Sequence, residues 1–233
     1  MIQVRRSSER GHFDHGWLDT FHSFSFADYR DPAHMGFRSL RVLNEDRVAA
    51  GQGFGSHPHR DMEILTYVLS GALEHRDNLG NGGVIRPGEM QRITAGTGIY
   101  HSEFNPSPTD EVHLYQIWLF PERKGLTPGY QQGSVLPPTD ERNRLRLVAS
   151  PAGGEHAMTI RQDANVFVGA FDAGSGTSRD IPAGRFAWVQ VLRGGVTLNG
   201  EPLAAGDGAA VAEESRLAFR FDAASEVMVF DLA

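Results

Sequence analysis

The chain of 233 residues contains no cysteine. That excludes a disulfide framework, a thiolate nucleophile, a Cys-ligated zinc and a Cys-held iron–sulfur cluster, so any bound metal must use His and carboxylate. Positive charge is also in short supply. The formal net charge is -7 and Lys and Arg form no dense run, which argues against nucleic acid as a direct partner. Nowhere is there an apolar stretch of membrane length, and the polar start, with Arg5, Arg6 and Arg10, is followed by no apolar core of a signal peptide. The expectation is a cytoplasmic protein with no membrane partner. No segment holds a 3.6-residue apolar period over three turns, so helices should be few and short.

What is there is β punctuation. Strand-length apolar blocks at 37–43, 63–69, 71–75, 112–119, 145–149, 186–192, 196–198, 217–221 and 226–230 are bounded by turn residues. The 27 Gly and 12 Pro supply those turns. An all-β sandwich or barrel follows. A polar stretch interrupted by Pro121, Pro128, Pro137 and Pro138 reads as a connection, which divides the chain into a first domain at 1–125, a linker at 126–143 and a second domain at 144–233. The two sides are faintly self-similar. Residues 65–73 resemble 189–197, and Ile85-Arg86-Pro87-Gly88-Glu89 resembles Leu203-Ala204-Ala205-Gly206-Asp207, in the same order. The chain reads as two copies of one small barrel.

The copies differ in chemistry. Nine of the ten histidines precede residue 114, and the second half has only His156. Two strings stand out, His57-Pro58-His59 and His101-Ser102-Glu103. In a strand, residues two apart point to one face, so the two pairs facing each other would present three imidazoles and one carboxylate. That donor set suits Fe, Mn, Ni, Co, Cu or Zn rather than Ca or Mg. A metal held this way is held once, in the first half.

The same residues carry a family resemblance. Gly51, His57-x-His59, Glu63 and Gly71 are similar to the first cupin motif with one residue added before the last Gly. Gly98-x-x-His101-x-x-x-Asn105 is similar to the end of the second, with Gly96 where Pro is usual and Met90 where that motif starts with Gly. More specifically, Phe54-Gly55-Ser56-His57-Pro58-His59-Arg60 and the run from Thr94 to Glu103 resemble the two metal-binding strings of the pirin family. The likeness extends to Gly11-His15-Gly16-Trp17 and to His113-Leu114-Tyr115-Gln116-Ile117-Trp118.

The resemblance implies a bicupin, two double-stranded β-helix (jelly-roll) barrels, with His57, His59, His101 and Glu103 holding one metal in the N-terminal barrel. It implies iron, Fe2+, as the usual metal. It also implies a quercetin 2,3-dioxygenase-like enzyme that opens a flavonol with O2 and releases carbon monoxide, Glu103 acting as general base. Other pirins resemble regulatory, redox-sensing proteins that act through a protein partner, which is the second expectation.

The general cupin pattern names Glu63 as the carboxylate. A continuous strand rises about 3.3 Å per residue, which would put Glu63 roughly 13 Å from His59 unless the chain turns back. Glu103 is therefore preferred as ligand and Glu63 is expected just behind the site. Phe54 and Gln116 match positions that line the pocket in pirin-like proteins. Met62, Tyr100 and Trp118 are expected in the core, His12, His15, His22 and His34 in packing and hydrogen bonding, and Glu74 and Asp77 in a solvated turn.

Overall fold

The computed structural model describes residues 1–135 and 142–233, so Pro137 and Pro138 of the expected linker lie outside the described residues. The first half contains β1 (Ile2–Arg5), a single 3-10 turn (Ser7–Glu9), β2 (Gly11–Asp14), β3 (Leu18–His22), β4 (Leu40–Val48), β5 (Gly53–His59), β6 (Glu63–Ser70), β7 (Leu73–Asp77), β8 (Gly82–Ile85), β9 (Glu89–Thr94), β10 (Ile99–Phe104), β11 (Val112–Leu119) and β12 (Gly129–Ser134). The second contains β13 (Arg146–Ser150), β14 (Met158–Thr159), β15 (Ala164–Phe171), β16 (Gly176–Asp180), β17 (Phe186–Arg193), β18 (Gly195–Leu198), β19 (Glu201–Ala204), β20 (Gly208–Val211), β21 (Arg216–Arg220) and β22 (Ser225–Leu232). No described helix is long and apolar enough to cross a membrane.

Each half is a jelly roll of one large and one small sheet. The first pairs the order β12-β9-β6-β11-β4-β3-β2 with β5-β10-β7-β8, and the second pairs β1-β20-β17-β22-β15-β13-β14 with β16-β21-β18-β19. The expected bicupin is the fold observed. The internal repeat is visible in its turns. Gly71, between β6 and β7, has φ +77°, and Gly194, between β17 and β18, has φ +71°. In each, an added Cβ would sit about on a backbone oxygen, 2.5 Å from Glu111 O and 2.4 Å from Ala224 O, so both positions require glycine.

The two large sheets stack back to back. Leu43, Leu65, Tyr67, Leu69 and Ile117 from one half and Val148, Val166, Trp188, Met228 and Phe230 from the other belong to one buried cluster. This explains why β6 is buried along nearly its whole length while the outer strand β21 alternates buried and exposed: one face of β6 looks into its own barrel and the other into the neighbouring one.

Strand membership does not follow the sequence division at every point. β1 pairs with β20 and so belongs to the second barrel's sheet, with Ile2 and Val4 packed on that core. β12, inside the stretch 126–143 read as the connection, pairs with β9 of the first sheet; its polar composition fits an edge strand with one partner. The second barrel's interior is filled by apolar side chains, including Phe167, Phe171, Phe219 and Phe221. The first barrel keeps a polar, partly open interior.

Candidate metal centre

The site is built on two neighbouring strands of the small sheet. β5 and β10 run antiparallel with His57 opposite His101 and His59 opposite Ile99, and alternation turns all three imidazoles to the barrel interior. Their ring centroids lie 4.4 to 4.9 Å apart, and one nitrogen from each falls within 4.8 Å of the other two.

Their free lone pairs can be assigned from their partners. His57 Nδ1 donates to Gly55 O at 2.8 Å, which leaves Nε2 as the bare nitrogen. His101 Nε2 is buried and has no hydrogen-bond partner. A buried ring nitrogen with no protein partner fits a place on a metal ion. Burial, reinforced by the neighbouring imidazoles, pushes His59 down to about 4 and His101 down to about 2, so both rings are neutral at pH 7, the form in which imidazole ligates.

Alternation along β5 is broken once. From His101 to Glu103 β10 advances two residues while its partner goes from His57 to Phe54, three residues. This bulge at Gly55 and Ser56 shifts the parity of β5. Phe54, at an odd separation from His57, consequently turns inward with it, its ring 6.4 Å from that imidazole.

Glu103 follows His101 on the inward face of β10 and is buried. Gln116 Nε2 donates to it at 2.8 Å, and Gln91 Nε2 donates to its other oxygen. Burial pushes the Glu103 carboxyl up to about 7, against those two donors, with Asp46 nearby adding to the rise. Its ligand atom lies within 4.8 Å of His101 and His75, and the four side chains expected as ligands do not form one such group.

A cavity of about 230 Å³ opens on these groups. Phe26, Phe54, Ile64 and Trp118 form its apolar wall, while Asn44, Asp46, Glu103 and Gln116 form a polar floor. Trp118 stands edge-on to His59 at 4.8 Å and Phe26 edge-on to Trp118 at 5.2 Å.

Of the residues expected around the site, Phe54 and Gln116 line the cavity and Glu63 does not. Ile64 faces the cavity, so its neighbour Glu63 points through the sheet to the seam between the barrels. There it accepts hydrogen bonds from Thr94 Oγ1 and Arg161 N, both at 3.1 Å. Three further expectations fail. Trp118 lines the cavity rather than the core, a placement that the alternation Gln116-x-Trp118 already contains. Tyr100, expected in the core, is 56% exposed because it alternates with His101 on β10. Asp77, expected in a solvated turn, has a side chain with 0% exposure and bonds to His75; His75-x-Asp77 carries the same two-residue spacing as the other pairs. The N-terminal histidines stay apart from the cavity lining, with His12 on Asp19 and His34 on Asp31, both at 2.7 Å, and His22 packed against Phe13 and Phe26.

Comparison with known proteins agrees with this architecture. Residues 3–119 match the family model described as Pirin, and 147–232 match that of the quercetinase C-terminal cupin domain. The chain is 47% identical over 232 residues to the quercetin 2,3-dioxygenase of Escherichia coli strain K12, covering 100% of this chain and 99% of that one. The crystal structure of the bacterial pirin YhhW from Escherichia coli in complex with nickel(II) superposes with a TM-score of 0.94 at 47% identity, covering 100% of this chain and 99% of that one. A quercetin 2,3-dioxygenase from Acinetobacter baumannii, 22% identical, shares the fold with a TM-score of 0.80 over 98% of this chain and 85% of that one. With a family match across half its length and a relative of this identity along all of it, the chain belongs to the pirin family.

Proposed function

We propose that this protein is a metal-dependent dioxygenase that opens the heterocyclic ring of a flavonol such as quercetin with O2, releasing carbon monoxide. The observation that carries the reading is the set of three imidazoles facing a cavity with an apolar wall and a buried carboxyl at its floor. Its nickel-bound and dioxygenase relatives support it. His57, His59 and His101 hold the ion and Glu103 is the fourth donor or stands beside it. We assign iron(II) as the metal; Mn, Ni, Co, Cu and Zn suit the same nitrogen and oxygen donors. When bound, the ion supplies Lewis acidity toward the 3-hydroxyl and adjacent carbonyl oxygen of the substrate.

The chain's own residues do the rest. Phe54 and Trp118 offer ring faces and edges to a flat aromatic ligand. Glu103 takes the proton of the 3-hydroxyl, a task for which a carboxyl held near neutrality is matched. Gln91 and Gln116 hold its two oxygens by their amide N–H groups and so fix its direction. The apolar wall keeps bulk water from the deprotonated ring.

Elemental analysis of the purified protein joined to an oxygen-uptake assay tests this. About one transition-metal ion per chain is expected, with O2 consumed and carbon monoxide released in the presence of quercetin. A flavone, which lacks the 3-hydroxyl and therefore the proton Glu103 removes, should be inert. Equal turnover of the flavone, or a metal-loaded protein inert toward every flavonol tried, would overturn the reading.

A further inference from the structure

His75 and Asp77 take no part in the reaction outlined above, yet both side chains are fully buried. They lie on β7, paired with β10 so that Asp77 is opposite His101 and His75 opposite Glu103. The Asp77 carboxylate accepts four hydrogen bonds. Its Oδ1 takes the backbone N–H of Leu79 and of Asn81, each at 2.9 Å, and its Oδ2 takes Asn81 Nδ2 at 2.9 Å and His75 Nε2 at 3.2 Å. Donors reach both oxygens and, against burial, hold the Asp77 carboxyl below the usual carboxylate range, so Asp77 is an ionised acceptor and His75 carries its proton on Nε2.

That assignment propagates. If His75 Nδ1 carried a hydrogen, the facing His101 Nδ1 would have to accept it and His101 Nε2 would become a buried N–H with no acceptor, so His75 Nδ1 is the bare lone pair. This atom faces His101 Nδ1 at 3.4 Å. Two facing ring nitrogens can share only one hydrogen, and with His75 as acceptor it sits on His101 Nδ1. The remaining nitrogen of His101, Nε2, is then the lone pair, and it is the buried atom without a partner on a ring that groups with those of His57 and His59.

We propose that Asp77 and His75 are positioning residues that set the tautomer of His101, through a chain from carboxylate to imidazole to imidazole that aims His101 Nε2 at the metal. The proposal rests on the ligand role of His101 argued above. Tyr130 of β12 stacks on His75 at 4.3 Å with the rings 9° from parallel and fixes its plane. A competing use of the same groups is a second metal site, since ligand atoms of His75, His101 and Glu103 also lie within 4.8 Å of one another. The hydrogen bonds argue against it: both nitrogens of His75 are committed, Nε2 to Asp77 and Nδ1 to His101.

Long-range ¹H–¹⁵N correlation spectra of the metal-free, full-length protein read the tautomers directly and need no variant. His101 should carry its hydrogen on Nδ1 and His75 on Nε2. Nickel(II) titration of variants then separates positioning from packing. Asp77→Asn presents an amide donor where His75 needs an acceptor. It should reverse both tautomers and weaken nickel binding by about 10- to 100-fold, the usual range for a group behind a ligand. His75→Gln, which can donate to Asp77 and accept from His101, should stay within a few-fold of the parent. His75→Leu should fall with Asp77→Asn. Equal losses in His75→Gln and His75→Leu without a change of tautomer would mean packing only and overturn the proposal. So would a parent His101 protonated on Nε2, or two nickel ions per chain with one lost in His75→Leu. If His101→Ala keeps full nickel affinity, the ligand assignment itself fails; if His101→Ala loses nickel while Asp77→Asn does not, only the chain of hydrogen bonds fails.

Discussion

Two carboxylates that sequence patterns place near the metal end on different sheets, Glu103 facing the barrel interior from β10 and Glu63 facing the seam from β6, and this gives their substitutions different outcomes. Glu103→Gln keeps the shape but removes the base, so turnover should fall by about 10² to 10⁴, the range of a positioned acid or base, even after metal is reloaded. Glu63→Gln should leave metal content and turnover unchanged, because Glu63 accepts from Thr94 and Arg161 N at the seam and an amide oxygen can do the same. Metal analysis followed by oxygen uptake checks both. A metal-free, inactive Glu63→Gln would reverse the assignment. Asp46, on the polar floor, titrates in an unusual place. Burial chiefly, with Glu45 and Asp19 adding, pushes it up to about 7 against the Thr20 hydroxyl that donates to it at 2.5 Å. Its folded form therefore binds the proton more tightly than the unfolded chain, and its contribution to stability falls as pH rises from about 4 to about 7 and is level outside that window. Asp46→Asn removes this titration. Relative to the parent, the variant should gain stability progressively through that window, by a few kcal/mol at pH 8, given roughly three pKa units at about 1.4 kcal/mol each. Urea unfolding of the metal-free proteins at pH 4, 6 and 8 measures the gain, and a difference independent of pH would refute the assignment.

Strands explain what could be read in advance. His57, His59, His101 and Glu103 were legible because a period of two survives wherever a strand is regular, and β5 from His57 to His59 and β10 from His101 to Glu103 each keep it, the extra residue lying in β5 before His57. The same rule contained Trp118, through Gln116, and His75-x-Asp77, but the first was absorbed into an apolar run and the second was masked by the turn that follows it. Phe54 could not be found by parity at all. The bulge at Gly55 and Ser56 reverses the alternation just before it, and nothing in the local residue types announces a bulge except the glycine. Deleting Ser56 should restore regular alternation, turn Phe54 outward, and weaken binding of an aromatic ligand while leaving metal stoichiometry unchanged, since His57, His59 and His101 keep their pairing; loss of metal in step with the ligand would show that the bulge shapes the metal site instead. The turns that mark the repeat are a second element-level test. Gly71→Ala and Gly194→Ala each combine a left-handed backbone with a collision on a carbonyl oxygen. Both should cost more stability than Gly184→Ala, where φ is +81° but the space is open and the cost is about 1–2 kcal/mol. Urea midpoints rank the three, and equal costs would mean that the close approach relaxes freely.

Two barrels with separate interiors need not be two independent folding units, and here the buried cluster between the large sheets argues that they are not. Tyr67 donates to Glu226 at 2.5 Å and Arg193 Nη2 donates to Leu69 O at 2.6 Å across the same seam, and β1 ties the start of the chain to the second barrel. The sequence showed that strand β6 is apolar almost throughout, which signals burial on both faces, but a run of apolar residues does not name the surface that covers it. Separating the halves would uncover Leu43, Leu65, Tyr67 and Leu69 on one side and Val166, Met228 and Phe230 on the other, an apolar exposure that a soluble domain rarely tolerates. Phe230→Ala tests the coupling from the side remote from the metal. Truncating a buried phenylalanine costs about 3–5 kcal/mol, and if the seam joins the barrels into one cooperative unit, the variant should lower a single calorimetric transition and release nickel at the same reduced temperature. Two resolved transitions, with nickel held to the parent's temperature while the second barrel melts early, would show that the first barrel stands alone.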